Sequence, residues 1–199
     1  MKVLRYSMVA ALLLLAVAAH AMTVQLKFVK SNNVTTDKSE FSKTELKSRE
    51  YEVTVSVLAN ETNSYKVVVG TVVSSASSKS MFMIQDSAEC ACTPAKSKKD
   101  KFKVETCSVI ATKDNARGQY GIDLNSGYQI DGLIVEIQDE EGNVLKRKTT
   151  SDTKYKKLKF DDKKCWVQTA LEGSPLEKKT TVEKIDLEAK KNAKDRDKK

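Results

Sequence analysis

Four cysteines, two groups of neighbouring carboxylates and one basic run are the residues of this chain whose types and spacing could do chemistry. Cys90, Cys92, Cys107 and Cys165 are even in number, which in an exported chain reads as two disulfides. A Cys90–Cys92 bridge would close a very tight, strained ring. That leaves Cys107 paired with one of these two and Cys165 with the other, the choice between them open. A Cys-x-Cys metal or redox site would need further ligands, and the single histidine, His20, lies in a leader-like segment. Without that imidazole, neither a Ser-His nor a Cys-His nucleophile can be assembled. The carboxylates of Asp139-Glu140-Glu141 and Asp161-Asp162 could serve a glycosidase only if two faced each other across a cleft. In a hairpin turn such side chains are solvated, and turns favour them on their own account. The segment 139–143 also lacks the alternating ligand spacing of a calcium loop. No metal or cofactor is expected, and the chain is read as a non-enzyme.

Residues 146–164 are predominantly basic. Lys146, Arg147, Lys148, Lys154, Lys156, Lys157 and Lys159 are the candidate anion-binding residues, able as a ridge to hold an anionic glycan, a lipid headgroup or a phosphate. Lysines at such positions also protect an exposed sheet edge against pairing with another chain, and that is the favoured reading. Nucleic-acid binding would want aromatics interleaved for stacking. Only Tyr155 and Phe160 are present here, so no nucleic-acid partner is expected.

The elements that must position these groups begin after a leader. Lys2 and Arg5 precede the apolar stretch 8–19, and Ala19-His20-Ala21 has the small-x-small form of a cleavage site. Residues 1–21 thus read as a secretory signal peptide, too short in its apolar part to cross a bilayer. The expected location is the periplasm, the outer-membrane surface or the extracellular space. No transmembrane segment is expected in the mature chain. The net charge of +8 favours anionic surfaces without marking a nucleic-acid binder. Asn33 and Asn60 sit in glycosylation sequons, and Trp166, beside Cys165, is expected to pack on a disulfide in the core.

Period-two alternation dominates the residues after Ala21. Residues 23–30, 50–59 and 64–74 place apolar side chains on one face and polar ones on the other, as half-buried strands do. A short apolar run comes next at 81–85. In 101–112 the phase slips once, predicting a bulge near Glu105 or Thr106. Residues 128–138 and 143–149 flank a glycine-bearing turn and predict a hairpin. Residues 155–160 alternate again, and 165–167 would form the last core strand. Residues 31–49 read as a long polar connection. This spacing predicts an all-β antiparallel sandwich of about eight or nine strands over residues 22–171. A charged, partly helical or disordered tail is expected over 172–199.

Two segments carry a resemblance. YEVTVSVLANETNSYKVVVGTVV (51–73) looks like the strand–turn–strand opening of immunoglobulin-like modules that mediate assembly on bacterial surfaces. GYQIDGLIVEIQDEEGNVLKRK (127–148) is similar to the later hairpin of immunoglobulin-like exported surface proteins associated with a type IV pilus-like gene cluster of verrucomicrobial bacteria. The resemblance implies an immunoglobulin-like sandwich with an envelope or pilus-like protein partner, and it transfers no catalytic or binding residue. A pilin's long apolar N-terminal helix is missing after Ala21, so the role implied is that of an accessory. The expected function is an exported, non-enzymatic adhesion or assembly module of the cell envelope. It would act through an open sheet edge or through the basic ridge. A binder of anionic glycan or lipid is the alternative, and a carboxylate-based hydrolase the third reading.

Overall fold

The computed structural model describes residues 22–39, 42–57, 64–75, 82–93, 99–114, 124–160 and 178–186. These contain nine strands and one short helix: β1 (Thr23–Lys38), β2 (Ser42–Ser56), β3 (Tyr65–Ser75), β4 (Phe82–Cys92), β5 (Lys99–Glu105), β6 (Val109–Asp114), β7 (Leu124–Gln138), β8 (Val144–Thr149), α1 (Asp152–Tyr155) and β9 (Thr181–Lys184). Residues 1–21, Asn60, Asp161-Asp162 and Cys165–Val167 lie outside the described residues. All strand pairs are antiparallel.

The pairings define two four-stranded layers, β1-β2-β5-β9 and β8-β7-β3-β4. β6 pairs with the start of β2 on one side and the start of β7 on the other, and so joins the layers at one end. This is the immunoglobulin arrangement, in which strands A, B, E and D form one sheet and C, F and G the other, with C′ beyond C in the variable type. β1, β2 and β5 take the places of A, B and E. β3, β7 and β8 take those of C, F and G, with β4 as C′. β9, arriving from the far end of the chain, fills the place of D.

Period two explains the core. Tyr51, Val53 and Val55 on β2, Phe102 and Val104 on β5, Val67 and Val69 on β3, and Leu133, Val135 and Ile137 on β7 meet between the layers. Burying each of these side chains stabilises the fold by about 1.5–3 kcal/mol. Beneath the β6 end, Val73, Met83, Cys107, Val109 and Ile130 form a second cluster. A third, Val72, Ile134 and Tyr155 with Phe82, Ile84, Leu158 and Phe160 around them, covers the outer face of the β3–β7 layer.

Four sequence expectations change. Residues 31–49 are no connection: β1 and β2 continue as a paired hairpin arm, with Lys38 opposite Lys43. Its polar side chains simply reflect a ladder exposed to water. The phase slip at 105–106 is a strand break, where Thr106, Cys107 and Ser108 pass between β5 and β6 fully enclosed. Residues 155–160 do not form a strand. Arg147 donates to the carbonyls of Tyr155 (3.3 Å) and Leu158, which holds the chain in a turn over the outer face. Gly70 on β3 makes room there, since a Cβ would sit 2.6 Å from the Phe160 ring. Finally, part of the charged tail is structural. Val182 is buried in the core while its neighbours face water, so four residues of mostly polar sequence still complete a sheet.

Candidate functional site

The sandwich has two lateral seams, and they differ. At one, β4 and β9 are tied together. At the other, no ladder joins β1 to β8 among the described residues, and a cleft of about 450 Å³ opens there. Leu26 and Phe28 come from β1, Arg49 and Tyr51 from β2, Asp131 from β7, Lys148 and Thr149 from β8, and Thr150 follows β8. Phe28 packs edge-on against Tyr51, with ring centroids 5.7 Å apart, yet is 53% exposed. Next to it Val29 is 47% exposed, and across the seam Val144 and Leu145 also face water.

The polar groups of the cleft are ordered from below. Thr150 accepts from the amide of Leu133 at 3.1 Å through its hydroxyl and donates its own amide to the Leu133 carbonyl. A Cβ on Gly132 would collide with that hydroxyl, so this close crossing requires glycine. Arg49 Nη1 donates to the carbonyl of Asp131 at 3.3 Å. Asp131 Oδ2 is sealed from solvent and has no hydrogen-bond partner among the described residues. Such a group costs roughly 1–3 kcal/mol and calls for an explanation. Burial, aided by the Asp131 charge, pushes the nearby Tyr155 hydroxyl up to about 12, so it stays a neutral donor. Two cations, one carboxylate, hydroxyls and an aromatic wall can bind a ligand with both charge signs and an apolar body. The cleft lining holds neither a thiol nor an imidazole.

The sequence candidates fare unevenly. Lys146, Arg147 and Lys148 lie on β8, and Lys154, Lys156, Lys157 and Lys159 on α1 and the turn after it. Arg147 is committed to Glu136 Oε1 (3.3 Å) and to the turn carbonyls. Lys148 pairs with Asp152 at 3.0 Å, and Lys154 lies over the Phe82 ring at 5.6 Å. Lys146, Lys156, Lys157 and Lys159 project into water. The ridge is therefore split between packing and solvent. Asp139 closes the β7–β8 turn, accepting from the Asn143 amide at 2.8 Å and its side chain at 2.9 Å. Those bonds hold its carboxyl below the usual range. Gly142, at φ +88°, makes the turn possible.

No disulfide joins Cys107 to Cys90 or Cys92 among the described residues, and Cys165 lies outside them. All three are free thiols. Cys90 and Cys92 lie opposite Val67 and Tyr65 on β3, whereas the Cys107 amide donates to Thr71 Oγ1. At about 3.3 Å per residue those positions are roughly 13 and 20 Å apart along the strand. A disulfide requires Cα atoms within about 7 Å. Burial, together with the charge of Asp86, pushes the Cys107 thiol up to about 12.

Sequence reasoning missed the cleft and the opposite seam. The closed seam centres on Asp100, 2% exposed, whose Oδ2 accepts from the Tyr65 hydroxyl at 2.6 Å. Lys184 Nζ lies 2.7 Å from Asp100 Oδ1, 3.0 Å from the Thr93 carbonyl and 3.1 Å from Cys92 Sγ. Further along, Thr180 gives its amide to Asp86 Oδ2 at 2.6 Å and shares a 2.7 Å hydroxyl contact with Thr71. A signal was present for both seams. Arg49, Asp131 and Asp100 each occupy the core-facing phase of an alternating strand, where apolar residues are the rule.

No protein-family model matches the chain, and no curated protein does. Among solved structures it is similar to a protein from Akkermansia muciniphila, at 10% identity over 65% of this chain and 71% of the other, with a TM-score of 0.23. A structural-genomics target is similar at 11% identity over 56% and 84%, with a TM-score of 0.18.

Proposed function

We propose that this chain is an exported, non-enzymatic adhesion or assembly module of the cell envelope, accessory to a pilus-like apparatus. It binds an extended segment of a partner protein along the open β1–β8 seam. The observation that carries this reading is the seam itself. Strand edges unpaired among the described residues adjoin exposed Phe28, Val29, Val144 and Leu145 there and end in a cleft with Arg49 and Lys148. An added strand takes main-chain hydrogen bonds from an open edge and seats alternate side chains in pockets. Apolar side chains suit Phe28 and Leu26, and acidic ones suit the two cations.

The test replaces Phe28 and Val29 together by arginine. Both are about half exposed, so the fold and its melting temperature should hold. In crosslinked envelope fractions the partner recovered with the native chain should disappear. Undiminished recovery refutes the proposal. The second reading, an anionic glycan or lipid held by the ridge, rests on the projecting Lys156, Lys157 and Lys159. It requires salt-sensitive retention on heparin or anionic liposomes, lost when Lys154, Lys156, Lys157 and Lys159 become glutamine.

A further inference from the structure

We propose that Cys92 and Lys184 are the two ends of an oxidatively formed N–O–S cross-link that fastens β9 to β4. The amine nitrogen already lies 3.1 Å from the sulfur. It is aimed there by Asp100 Oδ1 at 2.7 Å and the Thr93 carbonyl at 3.0 Å, while the Tyr65 hydroxyl fixes the same carboxylate from its other oxygen at 2.6 Å. The other two described cysteines lack such a neighbour. Cys107 is fully enclosed in an apolar cluster; Cys90 Sγ contacts the carbonyl of Ala91 at 3.6 Å, as Cys92 Sγ contacts that of Thr93 at 3.4 Å, but only Cys92 has an amine beside its sulfur. Cys92 is itself buried, 5% exposed, and the cationic group beside it, the partly exposed Lys184 side chain, leads from its sulfur to solvent.

The oxidant is a hydroperoxide, and two equivalents balance the reaction. The first attacks at sulfur: its O–O bond breaks, Cys92 becomes a sulfenic acid, and water leaves. The Lys184 ammonium loses a proton to solvent. Its free amine then takes oxygen from the second peroxide to give a hydroxylamine and another water. Condensation of the hydroxylamine oxygen onto sulfur expels the sulfenic hydroxyl as a third water. One oxygen is gained and two hydrogens are lost overall. The product links residues 92 positions apart in sequence. It would fasten covalently, until reduced, an edge strand that spans four residues, Thr181–Lys184.

Intact-mass measurement of the full chain recovered after export, before and after hydrogen peroxide, tests this. The expected product gains one oxygen, loses two hydrogens, reverts with a thiol reductant and yields one peptide pair joining Cys92 to Lys184. Its melting temperature should rise by about 10 °C, as expected for closing so long a loop. Lys184→Arg keeps a cation for Asp100 but no primary amine, and Cys92→Ser keeps an acceptor for Lys184. Both must lose the mass change while the native chain shows it. A native chain whose Cys92 stays free, or joins another cysteine, overturns the proposal. So does a loss of one water, which would mark an amide between Lys184 and Asp100, or a product that persists in either variant.

Discussion

The two seams of this sandwich have the same raw materials and opposite outcomes. Each brings an aspartate with a sealed carboxylate oxygen, a cation from a neighbouring strand and a tyrosine into a place where the layers meet. At the β4–β9 seam both oxygens of Asp100 have a side-chain neighbour: Tyr65 donates to Oδ2, and Lys184 forms an ion pair with Oδ1. At the β1–β8 seam Arg49 bonds only the main chain of Asp131, and Oδ2 of that residue is left over. One seam is therefore finished internally. The other leaves a sealed carboxylate oxygen without a partner among the described residues, beside an exposed apolar rim. A protein gives up stability where it keeps a site ready to bind, and the contrast makes this measurable.

Breaking the finished seam should have the largest effect. Asp100→Ala leaves a buried tyrosine hydroxyl and the Lys184 ammonium without their acceptor, and should cost about 3 kcal/mol in urea unfolding. Alkali should weaken the same half of the molecule next. Cys107 holds its proton up to about pH 12 when folded, against an ordinary thiol value near 8.5. Its contribution is complete below that ordinary value and declines as pH rises toward 12, because only the unfolded chain releases the proton. Urea midpoints should fall by the equivalent of about 2 kcal/mol between pH 8.5 and 10, and Cys107→Ala should flatten that slope. The open seam should respond with the opposite sign. Asp131→Asn removes a charge whose sealed Oδ2 has no hydrogen-bond partner among the described residues, raising stability by about 1 kcal/mol while weakening partner capture in the crosslinking assay. A loss of stability there would show that the carboxylate has a structural duty and that the seams are alike.

Much of the fold was legible in the chain. The alternating runs around Val53, Val67, Phe102 and Leu133 had to be strands, because only a period of two puts those side chains on one face. Arg49, Asp100 and Asp131 were legible as exceptions to that phase, though nothing local told which would be answered. The 31–49 arm was hidden because a solvated ladder has no apolar face to announce it. The turn after α1 was hidden because 155–160 alternates as a strand would, and the grip of Arg147 on two carbonyls turns it aside.

The sequence by itself determined that this is layered β-structure: burial with a two-residue period is a local property, written into each strand separately. Tertiary structure alone decided that a strand from the charged end completes the first sheet, that Cys107 stands well apart from Cys90 and Cys92, and that one seam closes while the other stays open. Those outcomes depend on which distant residues become neighbours. Asp100 and Lys184, or Arg49 and Asp131, gain their meaning only when the chain folds back and places one beside the other.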